Sequence, residues 1–449
     1  MHARVHTFNQ ALRIGLGAAL CALSLAGCGD GDHLAQVGAK ASKGGVSGGP
    51  MAGTLTVQAV DADTALPLAG AAVWLRAGEQ AQPVGRTAAD GRLTLSDLGA
   101  EPQTVTVSAA GHEAASWGLI TSSLAVIPLE STSQPGTTDL AVDLPGWSEL
   151  PPLPAGMYRI ARFAYSRPNG LSALEADAAG IQPQCRRPAA SQSCSVTLSV
   201  PLDTSAVLAV VAEANDAGTP DDVSDDAFTM TGLGLATEFV LRPVFAGSVS
   251  VTLLPPGATA RASVVALGSG HEAFEEVVGV PGVSIGGQIL LYPSLGGAST
   301  SFLVPTASGA FANAKLWAVA TANNGSDGAW SRSYQRGVAP PRDATELVSL
   351  QTNDFLELPS IRSQASGYSL SSPGNLVRLE FSTPSGQALN VLLFPAQSEF
   401  ELPQGVLDEP PNAVSIEAFD ATLDPRSFDF QESAGRAARI AYVHAEPLR

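Results

Sequence analysis

Three groups of residues have spacing that suits chemistry. Gly282-Val283-Ser284-Ile285-Gly286 follows the Gly-x-Ser-x-Gly pattern that holds a serine nucleophile on a sharp strand-to-helix turn, with His444 and Asp408 or Asp420 available to complete a triad. Asp216, Asp221, Asp222, Asp225 and Asp226, with Glu213 just before them, crowd hard oxygen ligands into one stretch, the donor set that calcium takes in extracellular loops. Cys185 and Cys194 flank the polar, turn-rich Arg186-Arg187-Pro188-Ala189-Ala190-Ser191-Gln192-Ser193, as a hairpin tip closed by a disulfide would.

The elements that must position these groups decide between them. A serine elbow needs a helix after it, yet Gly287-Gln288-Ile289-Leu290-Leu291-Tyr292-Pro293 reads as a strand ending in proline. No HGG-type oxyanion segment lies upstream, so no catalytic residue is expected, and an envelope hydrolase using Ser284 stands as the alternative function. The aspartate spacing matches no EF-hand loop; a solvated acidic loop is expected there, with a calcium-dependent adhesin as the other alternative. His112-Glu113 and His271-Glu272 lack a second histidine four residues on, where Ser116 and Glu275 stand, so the zinc-peptidase motif is missing. The cysteine spacing is wide for a metal knuckle and no histidine lies nearby, which leaves the disulfide. No metal and no cofactor are expected. Trp74, Trp117, Trp147, Trp317 and Trp330 are dispersed, and no sugar-stacking platform is legible.

Composition narrows the class. With 449 residues there is room for three or four domains; only 15% of residues are charged, while 45 Gly and 32 Pro punctuate a 45% hydrophobic chain. That is the texture of a β-rich secreted protein with many turns. A formal charge of −18 repels phosphate backbones, so nucleic acid is not an expected partner.

The N-terminus sets the compartment. Arg4 and Arg13 precede an apolar run from Ile14 to Ala26, which ends in Leu25-Ala26-Gly27-Cys28 and the polar Gly29-Asp30-Gly31-Asp32. A spanning helix needs about 20 apolar residues, so this run is too short to cross a bilayer. It resembles the lipobox of bacterial lipoproteins. The resemblance implies that residues 1–27 are a signal peptide and that Cys28 carries diacylglycerol and a further acyl chain on its new amino group. Each buried methylene contributes about 0.8 kcal/mol, so several chains on one residue anchor the protein to the membrane stably. Gly29, standing where an aspartate would favour inner-membrane retention, points to the outer membrane or cell surface. Residues 28–52, rich in Gly, Ser, Ala and Lys, are expected to be a flexible tether.

After the tether comes a segment with period-two alternation and regular turn signals. It carries Asp61, Thr64, Pro67, Leu68, Gly70, Ala71, Val73, Leu75, Thr87, Asp90, Gly91 and Gly111. These residues resemble the carboxypeptidase regulatory-like domain, a transthyretin-like seven-stranded β-sandwich. Ala65 replaces its turn glycine, Leu93 its aromatic residue and His112 its tyrosine. The resemblance implies a packing or binding accessory without catalytic residues.

Beyond it, strand-length apolar runs continue to the C-terminus, among them Met157 to Ala164, Val207 to Val211, Leu316 to Ala320 and Ile440 to Val443. The expected fold is all-β: tandem β-sandwich modules over 53–128, 129–245 with the disulfide, 246–360 and 361–449. Two echoes suggest divergent repeats. Pro293 to Pro305 resembles Pro384 to Pro395, and Val207 to Asn215 resembles Leu316 to Asn323. One continuous sheet across the module boundaries would contradict that reading. The expected function is non-enzymatic: a lipid-anchored envelope protein doing structural or recognition work by contact with a protein or glycan.

Overall fold

Alternation becomes strand wherever one face of the pleat meets a core and the other meets water. In Ser195–Pro201, Val196, Leu198 and Val200 are buried while the serines and threonine between them are exposed. The computed structural model describes residues 44–76, 78–133, 137–165, 185–187, 193–202, 204–215, 226–237, 247–266, 276–285, 288–293, 301–323, 328–364, 367–394, 397–430, 433 and 437–445. Among the described residues, no helix is long and apolar enough to cross a membrane.

The strands group into four sandwiches. The first holds β1 (Gly45–Pro50), β2 (Leu55–Asp61), β3 (Ala72–Leu75), β4 (Gln82–Arg86), β5 (Arg92–Leu95), β6 (Gln103–Ser108), β7 (Ala114–Ile120) and β8 (Ser122–Leu129). The second holds β9 (Thr137–Asp143), β10 (Met157–Tyr165), β11 (Arg186–Arg187), β12 (Ser195–Pro201), β13 (Ala206–Asn215), β14 (Thr229–Thr237), β15 (Gly247–Ser250) and the short β16 (Thr252–Leu253). The third runs through β17 (Thr259–Val265), β18 (Glu276–Ile285), β19 (Gln288–Leu291), β20 (Phe302–Pro305), β21 (Lys315–Asn323), β22 (Ala329–Val338) and β23 (Leu347–Gln351). The fourth comprises β24 (Ser360–Gln364), β25 (Gly367–Ser371), β26 (Leu376–Ser382), β27 (Ala388–Leu393), β28 (Glu399–Phe400), β29 (Ala413–Asp420), β30 (Phe428–Asp429) and β31 (Arg439–Ala445).

One plan recurs. The small layers are ordered β5-β2-β8, β12-β9-β15 and β20-β17-β23, and the large layers β4-β3-β6-β7, β11-β10-β13-β14 and β19-β18-β21-β22. In each, the opening strand of the small layer lies parallel to the closing one: β2 with β8, β9 with β15, β17 with β23. The fourth sandwich repeats the large layer as β27-β26-β29-β31, but beside β25 the closing place is taken by β24, which runs antiparallel. The architecture is all-β, as the sequence suggests.

Three large layers then join edge to edge into a twelve-stranded sheet. β22 pairs antiparallel with β31 from Ala329↔Val443 to Ser333↔Arg439, and β27 pairs in parallel with β7 from Leu389↔Ala114 to Leu393↔Gly118. Each junction satisfies backbone groups that a free edge would leave open. This continuous sheet rules out repeats that keep separate sheets, while the recurring strand plan bears out tandem β-sandwich modules. The two echoes also differ: β20 lies in a small layer and β27 in a large one, whereas β13 and β21 both occupy the middle of a large layer.

Two further expectations need correction. Gly45–Pro50, assigned to the flexible tether, is a strand that pairs with β8 and β30, with Val46 buried. A Cβ on Gly45 would come within 2.2 Å of the Phe428 carbonyl oxygen, so glycine is there for close approach. The cysteines do not close a hairpin tip within one layer: β11 belongs to the large layer and β12 to the small one, so the Cys185–Cys194 disulfide ties the two layers together.

The first and fourth sandwiches share a core around Trp117, whose ring packs edge-on to Phe394 at 5.8 Å and stacks on Phe428 at 6.3 Å. On the opposite face of the sheet, Val377, Leu379, Phe381 and Ile416 pack under Tyr368 and Phe400 of the fourth small layer. Toward the outer end of the Trp117 face the side chains turn polar and are mostly half-buried, with Glu113 and Glu130 of the first sandwich against Asn390 and Arg378.

Candidate functional site

The motif residues of the first sandwich build turns. Asp61 Oδ1 accepts from the Thr64 N–H and hydroxyl, both at 2.7 Å, and Ala65 sits at φ 57° where glycine would be unstrained. Burial would raise the Asp61 pKa, but hydrogen bonds from Thr64 and His112 outweigh it and hold the group below its usual value. His112 Nε2 lies 3.0 Å from Asp61 Oδ2. The Thr87 hydroxyl donates to the Leu68 carbonyl at 2.6 Å and accepts the Ala71 N–H at 2.9 Å. Asp90 caps the Arg92 N–H, and Gly91 at φ 74° passes so close to the Ala59 carbonyl that a Cβ would lie 2.6 Å from its oxygen.

The serine motif is a strand. Ser284 lies on β18 between Ile289 of β19 and Lys315 of β21, with the chain turning back as a hairpin rather than entering a helix. Gly286 lies outside the described residues. His444 is on β31, beyond β21 and β22, and pairs near the start of β22, whereas Ser284 aligns with Lys315, beside the end of β22. At about 3.3 Å per residue, the ten-residue β22 alone separates them by roughly 30 Å. Asp408 accepts from the Gln387 side-chain amide at 2.6 Å, and Asp420 pairs with Arg439 at 2.9 Å. The proposed triad is not assembled.

Of the acidic stretch, Asp216, Asp221, Asp222 and Asp225 lie outside the described residues, as does Cys28. Asp226 is buried and accepts the Tyr158 hydroxyl at 2.5 Å. Glu213 accepts from Arg159 Nε at 2.8 Å, and Arg159 is buried beneath it. Both carboxylates are thus engaged with the second sandwich itself. Among the described residues, no three His, Cys, Asp or Glu side chains are grouped to hold a metal ion.

The sheet brings together a group that the sequence does not announce. Across the outer end of the twelve-stranded sheet, Trp330, Tyr442, Glu417 and Arg378 stand in register on β22, β31, β29 and β26. The next row holds His444, Ser415, Glu380 and Asn390. At about 4.8 Å per strand, this strip extends for roughly 19 Å across β22, β31, β29, β26 and β27. The Trp330 and Tyr442 rings stack at 5.3 Å, with the Arg332 guanidinium 4.2 Å from the Trp330 ring centre. Ser415 Oγ lies 3.1 Å from His444 Nδ1 and accepts from the Tyr442 hydroxyl at 3.2 Å. Arg378 bonds Glu417 at 2.7 Å and reaches Glu130, just past β8, at 3.3 Å; the Glu417 charge in particular raises the Arg378 pKa. His444 and Glu130 are exposed, and most of the others are half-buried.

This arrangement suits binding better than bond-breaking. The Ser415 N–H belongs to a strand paired on both sides, so it is not free to stabilise an oxyanion. Rings, hydroxyls, carboxylates and the guanidinium groups of Arg332 and Arg378 on a rigid floor instead offer stacking and hydrogen bonds to a polar partner. Sequence reading missed the strip because its members come from strands far apart in the chain. Alternation places each on an outward face, but only the strand pairing makes them neighbours.

No family model matches the chain, and no curated protein matches it. Among solved structures, the Bacillus anthracis TIE protein is 9% identical with a TM-score of 0.15, over 68% of this chain and 50% of that one. This chain thus spans about half the length of the TIE protein. Shaft pilin SpaA from Lactobacillus rhamnosus GG is 11% identical, TM-score 0.15, over 45% of this chain and 98% of that one. BcpA, the major pilin subunit of Bacillus cereus, is 9% identical, TM-score 0.15, over 67% and 99% respectively. The fold rests on the strands described above and not on these likenesses.

Proposed function

We propose that the chain is a non-enzymatic, lipid-anchored protein of the bacterial cell envelope that does structural or recognition work by contact with a protein or glycan. The observation that carries the recognition role is the half-buried polar and aromatic strip from Trp330 to Asn390 on one sheet face. Its backbone is fixed on both sides by pairing, so its side chains are preorganised and lose little freedom on binding. The first sandwich, with Asp61, Thr64, Thr87, Asp90 and Gly91 placed as turn formers, suits a carboxypeptidase regulatory-like module. A disulfide between layers suits an oxidising compartment.

Anchoring through Cys28 follows from the lipobox resemblance, with outer-membrane or surface placement from Gly29. Metabolic labelling with a palmitate analogue tests the anchor: label on the wild-type chain and none on an exported Cys28→Ser variant is expected. An unlabelled wild-type chain overturns it. Esterase turnover by the purified protein that disappears in Ser284→Ala would replace this reading with the hydrolase one.

A further inference from the structure

We propose that the junction of the first and fourth sandwiches is a proton-operated latch, in which Glu113 binds a proton to close on Asn390 at low pH and loosens the β7 to β27 pairing when it releases that proton. The latch shares Asn390, Glu380 and Arg378 with the recognition strip, but it rests on the hydrogen bonding of Glu113 and does not depend on that reading.

Glu113 immediately precedes Ala114, the residue at which β7 and β27 begin to pair. The Asn390 side-chain N–H donates to Glu113 Oε2 at 2.9 Å, while Asn390 Oδ1 is buried without a hydrogen-bond partner. An ionised carboxylate only accepts, so it can do nothing for a second acceptor. A carboxylic acid has an O–H to give. Protonated Glu113 can therefore close an acid–amide pair in which each group donates once and accepts once, removing the cost of the unsatisfied oxygen. The proton comes from solvent and returns to it.

The surroundings favour that proton. Glu130 past β8 and Glu380 on β26 face Glu113 with like charge, and Asp63 and Glu417 add to the field around Glu130. Arg378 on β26 faces the same cluster but bonds Glu417 and Glu130. Burial, then repulsion from Glu130 and Glu380, raises the Glu113 pKa above the ordinary carboxyl value against the pull of Asn390 and Arg378. The neighbouring His112 is held by Asp61. A carboxyl whose folded-state pKa exceeds its unfolded value contributes stability that is complete below the unfolded pKa. That contribution is lost as pH rises through the folded value, so the junction tightens in acid.

Hydrogen exchange on the full chain tests the latch, comparing wild type with Glu113→Gln at matched pH. Glutamine donates and accepts at every pH, so the variant stays closed. At about pH 4 the β7 and β27 amides should be equally protected in both; at about pH 8 the wild type should be about fivefold less protected, the weight of one net hydrogen bond. Amides of β10 and β13 in the second sandwich serve as the internal reference. A second variant, Glu380→Gln, removes a like charge and should move the wild-type step to lower pH. A protection ratio that is the same at both pH values, or a step that Glu380→Gln leaves in place, overturns the proposal. Should Glu113→Gln fail to fold, the position of the step in Glu380→Gln decides alone.

Discussion

Replacing Trp117 by alanine strikes the core that the first and fourth sandwiches share. Trp117 is only 3% exposed, lies on β7 between β6 and β27, and touches Phe394, Phe428 and Phe430 at 5.8, 6.3 and 6.5 Å. Truncating a buried tryptophan costs about 3–5 kcal/mol, from lost transfer energy and the cavity left behind. Ring pairs contribute about 0.5–1.5 kcal/mol each beyond burial, though not additively, so a loss near the upper end of that range is expected. Trp117→Phe keeps one ring and should lose about half as much. Urea unfolding followed by far-ultraviolet circular dichroism, with calorimetry alongside, gives the measurement. The expected result is a lowered transition for the first and fourth sandwiches, with the disulfide-bearing second sandwich unfolding near its original midpoint. A change smaller than about 1 kcal/mol, the size of an average substitution, would refute the shared core.

Two other substitutions test local claims. Thr87→Val fits the space but leaves the Leu68 carbonyl and the Ala71 N–H without their partner, and should cost about 2–3 kcal/mol in a thermal melt. Replacing Cys185 and Cys194 together by serine should remove about 2.5–3 kcal/mol, and a reducing agent should lower the wild-type midpoint to match.

What the sequence disclosed was local. Asp61-Ala62-Asp63-Thr64 and Asp90-Gly91 are turn chemistry within a few residues, and the structure uses them as turns. The apolar runs became strands because alternation already says which face is buried. Gly45 shows where that reasoning stops: a glycine needed for close approach to Phe428 reads as a tether until its neighbour is known. The joining of β27 to β7 likewise has no local signal, since Asn390 and Glu113 stand 277 residues apart. The strip was hidden for the same reason. Trp330 looks like an isolated core residue until β31 brings Tyr442 against it. Ser284 is the converse case: a local pattern matched, but the strand-like sequence after it already spoke against an elbow, and the pairing of β18 with β19 bears that out.

The recognition reading is tested most directly by equilibrium binding of the purified chain to isolated bacterial envelopes, wild type against Tyr442→Ala and Glu417→Gln. Both positions are half-buried within the strip, so loss of binding would reflect lost contacts provided the melting profiles are retained. Hot-spot contacts of this kind cost about 2 kcal/mol or more, so at least roughly thirtyfold weaker binding is predicted for Tyr442→Ala. Unchanged affinity in both variants would contradict the assignment of this face as the binding surface.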